Sequence, residues 1–152
     1  MNWPMLTLQP INLYNFPGAT QMSDMINHPS HYTDNGSGVE CIQVSELMSF
    51  SIGNAIKYIW RCDGKGKGED IKKAAWYINH EIARIKAKKY TPIAVEAPPG
   101  VDYIHVASHL NPLVAHAFIY LFRYSFFRGY QDIKQLEYAI ASLDGYLLAR
   151  SC

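Results

Sequence analysis

Paired cysteines are missing from this sequence. Cys41, Cys62 and Cys152 form an odd, scattered set with no CxxC spacing, which argues against a zinc ribbon or a thioredoxin-type dithiol. Such a set fits a reducing cytoplasm. Long apolar runs are also missing. None approaches the roughly 20 residues of a membrane span, so no membrane partner is expected. The start, "MNWPMLTLQPINLYNFPGATQM", has no basic opening and contains prolines, which makes a poor signal peptide, and Met22 is a candidate alternative start. Excess charge of one sign is lacking too. A net charge of +1 excludes the broad basic field of a general nucleic-acid binder, so any basic site must be local.

What is present is a globular composition. Hydrophobic residues make up 49% and charged residues 18% of 152 residues, enough for one domain or two very small ones. Residues 1–38 are rich in Pro, Gly, Asn and Ser and read as an extended N-terminal arm. Between Ser45 and Cys62, Ile52, Ala55, Ile56, Ile59 and Trp60 recur at helical spacing, while Asn54, Lys57, Tyr58 and Arg61 share the opposite stripe. A longer helix is expected from Asp70 to Lys88, with Ile71, Ala74, Ala75, Ile78, Ile82 and Ile85 on one face. Residues 90–100 contain three prolines and read as a linker.

Beyond the linker the sequence repeats at a shift of 62 residues. "AIKYIWR" from Ala55 lies on "AFIYLFR" from Ala117, and "EDIKKAAWYI" from Glu69 lies on "QDIKQLEYAI" from Gln131. Tyr58, Arg61, Asp70, Ile71 and Lys72 recur as Tyr120, Arg123, Asp132, Ile133 and Lys134. An ungapped register over about fifty positions predicts a tandem duplication. The expected fold is therefore all-α. Two helical hairpins, residues 39–89 and 101–152, would pack into a pseudo-dimeric four-helix arrangement, since one amphipathic hairpin cannot bury its apolar face alone.

Four blocks carry a resemblance to a known family: "NHPSHY" from Asn27, "GVECIQV" from Gly38, "GNAIKYIWR" from Gly53 and "EDIKKAAWYI" from Glu69. In this order they resemble the SaV-like family of phage-encoded proteins, which includes a nucleotide kinase that phosphorylates deoxynucleoside monophosphates without a P-loop. The likeness covers residues 26–88. It implies a phage origin, residence in the host cytoplasm and a role near nucleotide pools. The second copy and the glycine-rich joint depart from the family pattern.

The joint between the first two helices, "DGKGKG" from Asp63, holds the first candidate residues. Glycines let backbone N–H groups converge on an anion, the next helix start adds a favourable dipole, and Lys65 and Lys67 add charge. The spacing does not fit GxxxxGK[ST], so no Walker A loop is present. The plain reading is a mobile, solvated turn. In the second copy the joint becomes "SFFRGY", so a hairpin does not need these glycines and lysines.

On the helix stripe, Arg61 offers a fork for phosphate, Lys57 a point charge, Asn54 an edge reader and Tyr58 a stacking ring. The plain readings are a solvated face, and for Arg61 a structural carboxylate pair. In the second copy Lys57 becomes Ile119 and Asn54 becomes His116. In the arm, His28, Ser30, His31 and Tyr32 would fold over the hairpin and contact phosphate or base. Metal ligation by His28 and His31 is the weaker alternative. Asp63, Glu69 and Asp70 are candidate magnesium carriers, with a helix N-cap as the plain reading of Asp70. The absence of ExxE disfavours a MazG-type pyrophosphatase.

The reading that combines these features is a nucleotide binder. Its leading form is a P-loop-less nucleoside-monophosphate kinase, with Lys57 and Arg61 as catalytic cations, Lys65 and Lys67 in support, and Mg²⁺ arriving on the nucleotide. A nucleotide sponge and a protein-interaction module are the alternatives. Leu121, Phe122, Phe126, Phe127 and Tyr130 are the expected contact between copies of a homo-oligomer.

Overall fold

The computed structural model describes Ile26, Pro29, Tyr32 and residues 35–150, with the side chains of residues 65–67 outside the description. The chain divides into two units, Met1–Ser30 and His31–Cys152. All helices named below lie in the second, as does Tyr32. Among the described residues the structure is helical and has no strand, as the apolar spacing predicts. No described helix is long and apolar enough to cross a membrane.

The first half contains α1 (Cys41–Ser45), α2 (Phe50–Trp60) and α3 (Lys67–Lys86). The second contains α4 (Tyr103–Ser108), α5 (Pro112–Phe126) and α6 (Ile133–Arg150). Local chemistry sets the starts. Glu40 and Gln43 form a capping box at α1. The Ser49 hydroxyl accepts from Ile52 N–H at α2. Asn111 accepts from Leu113 N–H at α5, where Pro112 occupies the first turn and has no N–H to satisfy. Asp132 accepts from Gln135 N–H at α6.

Helix α2 begins at Phe50, later than the Ser45 at which the helical spacing opens, and the short α1 precedes it. The chain turns at residues 46–49, with Met48 N–H bonded to the Ser45 carbonyl, and Ser49 starts a new helix. Gly53 allows the two pieces to sit close. A Cβ there would lie 2.8 Å from the Ser45 carbonyl oxygen, so a side chain would force backbone apart. The second helix begins at Lys67, three residues earlier than the spacing indicated, so Asp70 lies inside α3 and does not cap it.

Helix α2 packs on α3, α5 packs on α6, and the pairs meet where α3 faces α6 and α2 faces α5. Ile52, Ile56, Ile59, Ile71 and Ile78 from the first pair and Phe118, Leu121, Phe122, Leu136 and Leu143 from the second are buried in one core. Burial of each such side chain stabilises by about 1.5–3 kcal/mol. This corrects the expected oligomer contact: Leu121, Phe122 and Phe126 are core residues, Phe127 is half-buried, and only Tyr130 is exposed. They are apolar because α5 is covered by its neighbours.

Two polar links tie the halves together. Glu81 of α3 is fully buried, and its Oε1 accepts from Ser49 Oγ at 3.0 Å and from Tyr124 Oη at 3.0 Å. Asn111 donates to Asp63 Oδ1 at 2.7 Å, so the joint after α2 is tied to the start of α5.

Candidate anion-binding site

The stripe on α2 does assemble, although not as a row of free side chains. Arg61, at the end of α2, turns toward α3. Its Nε donates to Asp70 Oδ2 at 2.9 Å and its Nη2 to Asp70 Oδ1 at 3.0 Å, a two-point ion pair. Asp70 is 1% exposed and the Arg61 side chain 24%. The bond to Asp70 holds the Arg61 guanidinium further above its ordinary value, outweighing desolvation. Nη1 donates to Tyr32 Oη at 3.1 Å, so Tyr32 lies against the hairpin.

Tyr58 is the centre of the site. Lys57 Nζ lies 4.7 Å from its ring centroid, the Arg61 guanidinium carbon 5.1 Å and Lys73 Nζ 5.5 Å. Tyr77 stacks on the same ring at 6.0 Å between centroids and 18° between planes. The ring attracts each cation by only about 0.5–1 kcal/mol. That does not offset the mutual repulsion of three positive charges around one half-buried ring. Asp70 neutralises Arg61. Among the described residues, neither Lys57 nor Lys73 has a carboxylate partner. Lys57 Nζ donates instead to Asn54 Oδ1 at 3.2 Å, and Asn54 Nδ2 to the Phe50 carbonyl at 2.8 Å. Two ammonium groups thus share one aromatic ring with no anion among the described residues to balance them.

The joint itself is an irregular turn, Cys62–Gly66, in which Gly64 breaks helical geometry at φ −87° and ψ −121°. It leads directly into α3, whose first turn carries Glu69 and Asp70. Lys65 and Lys67 occupy this stretch, and their side chains lie outside the described residues, as do His28, Ser30 and His31 altogether. The three candidate magnesium carriers all have protein partners. Asp63 accepts from Asn111, Glu69 pairs with Lys72 at 3.2 Å, and Asp70 binds Arg61. Among the described residues no group of three or more His, Cys, Asp or Glu side chains converges as a metal site would require.

Two contributors, Lys73 and Tyr77 of α3, escaped the sequence reading, while Asp70, read as a magnesium carrier or an N-cap, serves as the carboxylate partner of Arg61. Lys73 and Tyr77 had a visible signal, since at the shift of 62 they become Gln135 and Ala139. The sites of the two halves also part company at the matching arginine. Arg123 Nε reaches Tyr103 Oη at 3.3 Å, while Asp132 has moved to its capping role.

Residues 26–79 match the model of a protein family of unknown function, DUF3310. The match spans Tyr32, the α2 stripe, the joint, Lys73 and Tyr77, and stops before the second half of the chain. No curated protein matches the chain. No solved structure matches it either.

Proposed function

We propose that the first hairpin binds the phosphate of a nucleotide, and that the protein transfers a phosphoryl group from ATP-Mg²⁺ to a deoxynucleoside monophosphate. One observation carries the binding reading: Lys57 and Lys73 converge on Tyr58 beside a neutralised Arg61, two positive charges with no carboxylate partner among the described residues. The kinase reading adds the resemblance of the four sequence blocks to a family that includes a P-loop-less nucleotide kinase. In this reaction a phosphate oxygen of the monophosphate attacks the γ-phosphorus of ATP, and ADP leaves. The protein contributes positioning and charge neutralisation, and Mg²⁺ would be carried in by the nucleotide. Lys57 and Lys73 hold the transferring phosphates. Arg61, tied to Asp70, stiffens the site more than it supplies charge.

A second reading, a nucleotide binder without turnover, is favoured by the engagement of Asp63, Glu69 and Asp70 with protein partners. The duplication reading belongs with both. Helix starts at Cys41 and Phe50 recur at Tyr103 and Pro112, the same shift of 62 as in the sequence. The second hairpin would be a copy that kept packing and lost the lysines. A phage origin and self-association complete the proposal.

Incubation with ATP, Mg²⁺ and each deoxynucleoside monophosphate, read by diphosphate formation beside equilibrium binding, tests it. Turnover lost in Lys57→Ala supports the kinase. Binding without turnover moves the conclusion to the second reading, and absence of both removes the nucleotide.

A further inference from the structure

If a phosphate sits on Lys57 and Lys73, the base of the nucleotide needs a surface, and Tyr58 cannot supply it. Tyr77 stacks on its ring and three cations surround it. The neighbouring turn of α3 offers an alternative. Lys73, Trp76, Tyr77 and His80 lie at i, i+3, i+4 and i+7, so they share one face. Trp76 is 61% exposed, unusual for so large an apolar ring. Its indole stacks on the His80 ring at 5.4 Å and 16°, and it meets Tyr77 edge-on at 5.0 Å and 87°. His80 is itself fixed, because its Nδ1 lies 3.1 Å from Oγ of the buried Ser51. The indole is therefore braced from below and from one side, with an open aromatic face.

We infer that Trp76, braced by His80 and Tyr77, is the platform on which the nucleobase stacks while the phosphate rests on Lys57 and Lys73. This deepens the nucleotide reading above and rests on it. Two ring-to-ring steps, 6.0 Å from Tyr58 to Tyr77 and 5.0 Å from Tyr77 to Trp76, separate the cations from the platform, a span that one nucleotide covers. Stacking on an aromatic side chain is worth about 1–3 kcal/mol per base and tolerates any base. Specificity for one base would then come from groups beside the ring. The second hairpin provides a contrast. At the shift of 62, Trp76, Tyr77 and His80 become Tyr138, Ala139 and Ser142, and the same place is an open groove of ≈ 520 Å³ lined by residues such as His116, Tyr120 and Tyr138. Lys57, Lys73 and the Tyr77–His80 brace are thus confined to the first hairpin, while the second keeps only the exposed ring of Tyr138.

The test compares ligands with and without a base. Wild type, Trp76→Ala and Trp76→Phe are titrated with the four deoxynucleoside monophosphates and with 2-deoxyribose 5-phosphate, after thermal melts show the fold intact. Trp76→Ala is expected to weaken each nucleotide by tenfold or more and leave 2-deoxyribose 5-phosphate within twofold, with Trp76→Phe in between. Nucleotide binding by Trp76→Ala equal to that of wild type would overturn the platform and leave the phosphate site standing. Equal loss of the base-free ligand in Trp76→Ala would also overturn it, because the tryptophan would then only support the lysines. Failure of wild type to bind any of these ligands would remove the phosphate site and the platform together.

Discussion

Arg61 and Asp70 form a two-point ion pair across the joint between α2 and α3, with Nε to Oδ2 at 2.9 Å and Nη2 to Oδ1 at 3.0 Å. Asp70 is almost wholly buried, and Arg61 is its cationic partner among the described residues. Arg61→Ala would strand the carboxylate. The expected loss is about 2–3 kcal/mol, below the range for a fully buried pair because Arg61 is partly exposed. Arg123, bonded only to a tyrosine hydroxyl among the described partners, serves as the comparison. Arg123→Ala should cost less than about 1 kcal/mol. Urea unfolding of both variants measures the difference, and equal losses would refute the structural role given to Arg61.

Tyr124→Phe removes one of the two hydroxyls that donate to Glu81 Oε1. Glu81 is fully buried, and hydrogen bonds to charged groups contribute about 1.5–3 kcal/mol. A loss of that size in chemical denaturation is expected, with the helical circular dichroism signal unchanged. A loss under 0.5 kcal/mol, on the order of an ordinary surface substitution, would show that the bridge between α3 and α5 contributes nothing.

Alkaline pH should unfold the protein in a defined window. Burial pushes the thiols of Cys41 and Cys62 up from 9.0 to about 12. A folded value above the unfolded one means that the native state keeps its proton longer. The contribution to stability is thus whole below pH 9 and is lost as pH rises toward 12. Each thiol lowers the unfolding free energy by up to about 1.4 kcal/mol per pH unit across that window. The Cys41→Ala/Cys62→Ala protein should show a shallower decline between pH 9 and 11, whatever its stability at pH 7. The same slope in both proteins would contradict the assignment.

Much of this fold was legible in the sequence because it rests on apolar periodicity. Ile52, Ala55, Ile56 and Ile59 recur at helical spacing, and they are buried on one face of α2. Boundaries were less legible. Ser49 restarts a helix where the apolar pattern runs on without a visible break, because one hydroxyl bond decides the point. The site was legible on α2 and only faintly on α3, where the shift of 62 alone marks Lys73 and Tyr77. Side chains on one helix declare their common face by spacing, whereas Lys73 and Tyr77 meet Tyr58 only through the crossing of two helices. Glu81 gave no signal at all. Nothing in one sequence separates a buried glutamate from the exposed ones around it until Tyr124 and Ser49 are seen beside it.

Asn111 should prove more important than its half-buried place at the helix start implies. Its side chain accepts from Leu113 N–H at 2.9 Å and donates to Asp63 at 2.7 Å. Asn111→Ala removes a helix cap and a tether of the joint together. The cap alone is worth about 1 kcal/mol. Thermal melts should show at least that loss, and Asn111→Asp should recover the cap but repel Asp63, leaving an intermediate stability. Wild-type stability in Asn111→Ala would show that neither bond contributes.

The central claim is that Lys57 and Lys73 together hold an anion against Tyr58, and isothermal titration calorimetry tests it most directly. Wild type, Lys57→Ala/Lys73→Ala and Lys72→Ala are each titrated with deoxynucleoside monophosphates and ATP at low and high salt. Lys72 is exposed and paired with Glu69, so its removal controls for net charge. The account predicts saturable binding by wild type and Lys72→Ala that weakens as salt screens the site, and a loss of tenfold or more in the double variant at unchanged thermal stability. Binding by the double variant equal to that of wild type, or no binding by wild type at millimolar nucleotide, would contradict it.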